Sequence, residues 1–254
     1  MTSSAEERPN AARIYDYLIG GNHNFAADRA AADQVRALFP SIPNGMRMNR
    51  WFMHQMVEEL STTSVTCFLD LASGIPTEGY IHEIVPTAKV LYNDSDPVTV
   101  AYGRQIVGAN PNVRYMESDL ADIEPILKAA EEHFQGERRV AISMIGVAYF
   151  IPDAALKVVL QRLYDWCLPG SYLASSWLEL NLEHPRIKEL GTLYDRMGVK
   201  VYSRTPAEIK ALLAPRELDH RGLALIEHWM HTPDWYQPED ENMQNGYAAL
   251  CVKA

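Results

Sequence analysis

The stretch that most constrains this chain runs from Cys67 to Gly79 and reads CFLDLASGIPTEG. Cys67, Phe68, Leu69 and Leu71 form a short apolar run broken only by Asp70, without strict alternation. Such a run fits a strand covered on both faces, as in a parallel sheet. The composition then switches to the tight turn Ala72-Ser73-Gly74. A helix pattern follows, with Pro76 in its first turn and Ile81, Ile84 and Val85 as its apolar stripe. Strand, glycine turn and helix together make a cradle for a nucleotide-like ligand at the carboxyl end of a central strand. The full dinucleotide fingerprint is absent, because Ala72 stands where a first glycine would.

Lys89 to Asn93 (KVLYN) predicts the next strand, ended by Asp94-Ser95-Asp96-Pro97. An acid at the tip of a second strand can accept both hydroxyls of a ribose, since an ionised carboxylate offers two acceptor oxygens. The competing reading makes Asp94 and Asp96 turn and cap residues for the helix Val98 to Val107, begun by Pro97. Pairing with the first turn favours the ligand reading.

The 254 residues are 47% apolar and 22% charged, which suits one globular unit with a substantial core. A formal net charge of -10, from 33 acidic and 23 basic residues, argues against a general nucleic-acid binder, whose affinity comes from neutralising phosphates. Cys67, Cys167 and Cys251 sit in apolar contexts without metal-ligand spacing, so buried reduced thiols and a cytoplasmic location are expected. No bilayer-spanning run and no signal-peptide core are found, so no membrane partner is expected.

Before the first strand, Met1 to Asn10 is polar and proline-containing and reads as disordered. Helix patterns follow over Ala11 to Ile19, from Ala26 to Leu38, and from a cap at Asn44 through Met48, Phe52, Met56 and Leu60. Residues 1–60 are thus expected to form a helical cap on a main domain spanning 61–254. The cap reads either as cover for a sheet edge or, over Tyr15 to Asp28, as a ligand lid. In that lid Gly20 and Gly21 allow close approach, and Tyr15, Tyr17, His23 and Asn24 supply directional hydrogen bonds.

After Asp94, strands are predicted at Val113 to Glu117, Val140 to Val147 and Ser171 to Trp177, with a helix over Ile123 to His133; Ala148-Tyr149-Phe150-Ile151-Pro152-Asp153 follows the fourth strand and leads into a helix that runs to about Asp165. Asp119 and Leu120 can read an adenine edge, or Asp119 and Asp122 can cap the helix that follows. Pro185 to Met197 reads as a helix, and Thr205-Pro206-Ala207-Glu208 carries a capping box. Leu223 to Trp229 and Gly246 to Val252 read as strands joined by the acidic, turn-rich Thr232 to Asn245. Strand–helix alternation gives a doubly wound α/β sheet with right-handed crossovers, ending in an antiparallel edge strand.

Several of these segments carry a resemblance. They are ARIYDYLIGGNHNFAADRAAAD (Ala12 to Asp33), MRMNRWFM (Met46 to Met53), FLDLASGIPTEGYIHEIVP (Phe68 to Pro86), VLYNDSDPVTVAYGR (Val90 to Arg104) and ESDLADIEPIL (Glu117 to Leu127), with FIPD (Phe150 to Asp153) and LPGSYLASS (Leu168 to Ser176). Over nearly its whole length the chain resembles the S-adenosylmethionine-dependent methyltransferases, specifically an actinobacterial family once classed as a domain of unknown function. The resemblance implies a Rossmann-like seven-stranded sheet with its last strand antiparallel, S-adenosylmethionine as cofactor, and a small-molecule acceptor. It also implies roles for residues. Asp70, Ser73 and Gly74 would lie under the methionine part of the cofactor, Asp94 would hold the ribose, and Ser95 and Asp96 would flank the adenine. Asp119 and Leu120 would read the adenine edge, Gly146 and Val147 would line the cofactor at the fourth strand, and Tyr15, Gly20, Gly21 and Asn24 would cover the site.

Three departures stand out. The family's turn is typically GTG where this chain has Ala72-Ser73-Gly74, and Ala72 suits close approach if its backbone keeps negative φ. Asn22-His23 replaces a lysine–aspartate pair, and Tyr149 stands where relatives carry histidine. His23 and Tyr149 are therefore the acceptor-side candidates for acid–base or orienting roles, with Tyr149 the better donor than base at its ordinary pKa of about 10. His184, Trp177, His228, Trp229, His231, Trp235 and Tyr236 are candidate walls of the acceptor pocket, Trp177 on topological grounds. A monomer or homodimer is expected. The second function reading is a protein of this fold that binds the cofactor without passing on methyl.

Overall fold

Strands made of near-continuous apolar runs need cover on both faces, and helices supply it here. The computed structural model describes residues 4–77, 79–236 and 244–254. The helices are α1 (Ser4–Glu7), α2 (Ala11–Leu18), α3 (Ala26–Leu38), α4 (Ile42–Ser61), α5 (Ile81–Ile84), α6 (Pro97–Val107), α7 (Ile123–His133), α8 (Asp153–Trp166), α9 (Pro185–Arg196) and α10 (Pro206–Leu213). The strands are β1 (Cys67–Asp70), β2 (Lys89–Asp94), β3 (Val113–Glu117), β4 (Ala141–Met144), β5 (Tyr172–Leu180), β6 (Glu217–Leu218), β7 (Ala224–Leu225) and β8 (Gln244–Val252).

The sheet order is β3-β2-β1-β4-β5-β8-β6, with β7 also pairing to β8. The first five strands are parallel and β8 runs antiparallel to β5. This is a Rossmann-like α/β fold with a mixed sheet and N-terminal helices. Chain order reverses between β1 and β4, which opens a crevice beyond their carboxyl ends. The period-two pleat sorts the side chains: Cys67, Leu69 and Leu71 pack with α7, α8 and α10, while Phe68, Val90 and Tyr92 pack with Met48, Phe52 and Met56 of α4. A third cluster joins Val35 and Phe39 to Leu180 of β5 and to Ile187, Leu190 and Tyr194 of α9. The three cysteines are free and buried. Among the described residues no helix is long and apolar enough to cross a membrane.

Several expectations change in detail. Two-residue β6 and β7 bring the sheet to eight strands, and β8 lies inside it rather than at its edge. Of Leu223 to Trp229 only Ala224–Leu225 is strand, followed by the 3-10 turn Ile226–His228. Pro76 precedes its helix instead of starting it, because α5 begins at Ile81. Ser41, not Asn44, stands before α4, and Ser4–Glu7 is helical where disorder was expected. Strand β4 stops at Met144, since Gly146 at φ +77° turns the chain aside. Residues 237–243 of the expected acidic connection lie outside the described residues. The capping box of α10 forms as expected, with the Thr205 amide donating to Glu208 at 2.8 Å.

Helix α6 meets β3 through Gly103, where an added Cβ would come within 2.4 Å of the Tyr115 ring. Tyr115 in turn donates to the Gly74 carbonyl under the β1 turn. Gly103→Ala is therefore expected to destabilise the protein by about 1–3 kcal/mol through overpacking. A urea denaturation midpoint equal to that of the parent would show that the ring yields freely.

Candidate functional site

A cavity of about 660 Å3 opens above the crevice at the β1 and β4 ends. Its floor is the turn after β1. The Ser73 amide donates to the Asn93 carbonyl at 2.8 Å, the Ser73 hydroxyl to the Asp70 carbonyl at 2.8 Å, and the Ala72 amide to Asn93 Oδ1 at 3.2 Å. Ala72 adopts φ +51°, so the negative-φ condition stated for close approach is not met. A Cβ in that left-handed region is strained, and the bonds to Asn93 help hold it there. Gly74 follows at φ +67°, and its amide donates to Asp94 Oδ2 at 3.1 Å. Asp94 Oδ1 accepts from the Asp96 amide at 2.9 Å. The glycine turn and the strand-tip acid thus touch, and both line one cavity.

Of the expected site residues, Tyr15, Asp70, Ser73, Gly74, Asp94, Ser95, Gly146, Val147 and Tyr149 come together on this wall. The others stand outside it. Asp96 caps α6 through the Thr99 amide at 2.9 Å and pairs with Arg13 at 2.8 Å, so its carboxylate is committed to the protein. Asp119 is exposed and folds back on the Ala121 amide at 2.9 Å, while Leu120 is buried in the core.

The segment Gly20 to Asn24 wraps a carboxylate of its own cover. Asp16 Oδ2 accepts from the His23 amide at 2.8 Å and from Asn24 Nδ2 at 2.9 Å. A Cβ on Gly21 would come within 2.1 Å of Asp16 Oδ1, whereas Gly20 is exposed with open space around it. His23 packs edge-on against Tyr102, with ring centroids 5.1 Å apart. The ring meets Tyr102 of α6, and His23 is not among the residues that line the cavity. Of the expected aromatic wall, Trp177 and Tyr236 line the cavity. Trp229 is buried beneath Arg221, His184 caps α9, and His228, His231 and Trp235 are exposed away from the lining.

Residues not anticipated complete the wall. Asp16, Asn49 and Arg50 line it, as do Phe150, Leu180, Leu190, Tyr194 and Met197 from an apolar lobe roofed by α9. Asn49 and Arg50 had one legible signal: Arg50 shares a helical row with buried Met53 and Val57, where a charge needs a reason. The Arg50 guanidinium lies over the Tyr80 ring, 4.1 Å from its centroid, and its Nη1 is buried without a hydrogen-bond partner. Burial opposes its charge, yet Tyr80, Tyr15 and Asp70 hold its pKa above the ordinary value. Burial pushes the Tyr149 hydroxyl well above the usual phenol range, with a bond from Asn49 opposing.

A family model described as S-adenosyl methyltransferase matches residues 2–254. The chain belongs to that family. A DUF574 family protein from Streptomyces avermitilis is 30% identical, with 98% of this chain and 99% of that one covered and a TM-score of 0.87. A protein from Thermobifida fusca is also 30% identical, covering 97% and 96% with a TM-score of 0.86. Magnesium protoporphyrin IX methyltransferase from Synechocystis, solved with S-adenosylhomocysteine, is 12% identical over 95% and 93% at a TM-score of 0.55, a likeness of fold alone. No curated protein matches the chain. The S-adenosyl methyltransferase fold accounts for the crevice at the β1 and β4 ends.

Burial raises both Asp70 and Asp94 to about 6 from an ordinary 3.8. The folded protein therefore holds these protons more tightly than the unfolded chain does. Their contribution to stability is full below about pH 4 and is lost as pH rises through about 6. Asp94→Asn is expected to flatten the decline in melting temperature across that window. Parallel pH profiles for variant and parent would contradict the assignment.

Proposed function

We propose that this cavity binds S-adenosylmethionine and passes its methyl group to a small-molecule acceptor. The observation that carries the reading is the contact between Gly74 and Asp94 on one cavity wall. The residues fit the group. Asp94 Oδ2 accepts from the Gly74 amide and Oδ1 from the Asp96 amide, which leaves acceptor capacity for two ribose hydroxyls. The Ser73–Gly74 turn would lie under the methionine part, Ser95 beside the adenine, and Gly146 and Val147 along the strand side. Tyr15 covers the site from α2, held by its bond to the Met46 carbonyl at 2.6 Å. Acidic and aromatic groups on the wall suit a cationic sulfonium.

When bound, S-adenosylmethionine supplies a methyl carbon made electrophilic by the sulfonium. The chain's task is then alignment and exclusion of water. Asn49 approaches the Tyr149 hydroxyl beside Gly146, and an added Cβ at that glycine would lie 3.6 Å from the hydroxyl oxygen. Tyr149, with its raised pKa, serves as a hydrogen-bond donor that orients the acceptor and not as a base. The lobe of Phe150, Leu180, Leu190, Tyr194 and Met197 offers an apolar seat for the acceptor's body. Glu227 is the acid lining the β7–β8 side. A neutral or cationic small molecule with an apolar frame fits that lobe better than a carboxylate or phosphate.

Titration calorimetry and labelled-methyl transfer test the proposal together. Asp94→Ala is expected to weaken S-adenosylmethionine binding by at least about tenfold, the scale of a lost charge-assisted bond. Tyr149→Phe is expected to slow transfer by a similar factor or more while leaving donor affinity unchanged. Unchanged affinity in Asp94→Ala would remove the ribose assignment. Tight binding with no transfer over a broad acceptor panel would favour the second reading, a family member that keeps the donor site without methylating.

A further inference from the structure

The donor of the proposed reaction carries one anionic group, the α-carboxylate of its amino-acid end, and a role in gripping that group rests on this reading of the cavity. Among the described residues lining the cavity, Arg50 is the one with a basic side chain; the other charged groups, Asp16, Asp70, Asp94 and Glu227, are acids. Its position is specific. The guanidinium is 4.1 Å from the centroid of Tyr80 and 6.0 Å from that of Tyr15. Tyr80 donates its hydroxyl proton to the Ser73 carbonyl, so Arg50 stands one side chain from the Ser73–Gly74 turn. Tyr15 likewise gives its proton to the Met46 carbonyl at 2.6 Å.

The protein thus fixes the plane of the guanidinium by ring contacts and leaves Nη1 buried and unpaired. A buried N–H of a cation without an acceptor is unfavourable, and a native structure that keeps one invites an explanation. A guanidinium edge matches a carboxylate in shape and charge, with two parallel hydrogen bonds available. We infer that Arg50 is the carboxylate-binding residue of the donor site, gripping the α-carboxylate of the amino-acid end with the Nη1 group that the protein leaves without a partner. The Tyr80 ring, 4.1 Å from the guanidinium, helps hold it in place before the ligand arrives. The acceptor lobe is roofed by α9 rather than by Tyr80, which assigns the arginine to the donor rather than to an acidic acceptor.

Three nucleosides separate the possibilities by calorimetric titration: S-adenosylhomocysteine, its decarboxylated counterpart, and 5′-methylthioadenosine, which lacks the whole amino-acid end. The parent is expected to prefer S-adenosylhomocysteine over the decarboxylated compound by about 10- to 100-fold, the scale of a hydrogen bond to a charged group. In Arg50→Met that preference should fall below about threefold, with 5′-methylthioadenosine bound alike by both proteins and Arg50→Lys intermediate. Equal weakening of all three ligands would mean that the arginine only supports the fold. Unchanged S-adenosylhomocysteine affinity would hand it to some other anion; either result overturns the assignment. Should Arg50→Met fail to fold, the parent's preference decides alone, and no preference for the carboxylate refutes the inference. A parent that binds none of the three would fail the donor reading itself, whereas nucleoside binding without carboxylate discrimination fails only Arg50.

Discussion

Arg13 ties the cover to the sheet. It is 1% exposed, and its guanidinium bonds Asp28 of α3 at 2.8 Å, Asp96 beyond β2 at 2.8 Å and the Arg8 carbonyl at 2.7 Å. Three helix or strand ends therefore meet at one buried cation. Taking such charges from water is costly, and only near-complete pairing offsets it; losing one partner of a buried pair costs about 3–5 kcal/mol. Asp28 uses its remaining capacity on the amides of Asn10 and Phe25, both within 2.9 Å, which fixes the entries to α2 and α3. The interaction acts less as a source of net stability than as a locator: it determines where Tyr15 and Asp16 lie above the β1 and β2 ends.

The same demand for complete pairing governs the turn below. Asn93 accepts from Ala72 and donates to the Ser118 carbonyl at 3.1 Å, so one amide links β1, β2 and β3 where they face the cavity. That bracing accompanies an alanine at positive φ, a conformation that glycine would adopt without steric cost. Strain of this kind clusters where a backbone must approach a ligand, and here it falls at the turn beneath the proposed donor.

How much of the fold and site was legible depends on the range of each signal. Strands β1, β2 and β3 were readable within a residue, because a doubly covered strand writes itself as a local apolar run. Two-residue β6 has no period to detect and is defined by its pairing with β8, while β7 is the short paired piece of the longer strand-like run Leu223 to Trp229. The Gly20 to Asn24 loop had the composition of a ligand contact. Its donors turn instead to Asp16, a tertiary choice that loop composition does not encode. Asp96 shows the same limit: cap and ligand readings both fitted the sequence, and its pairing with the distant Arg13 was written in neither. Asn49 and Arg50 were hidden in a helix whose apolar stripe invited a core interpretation; only the direction of α4 past the crevice brings them to the wall.

The cavity wall draws on Asn10 near one end of the chain and Tyr247 near the other, with the β1 and β4 turns between. Any small molecule that fills it becomes a non-covalent rivet through segments that are far apart in sequence. By mass action, such a ligand stabilises the whole assembly in proportion to the logarithm of its concentration above Kd. Local fraying of α2 or β8, ordinarily independent events, would then share one free-energy cost.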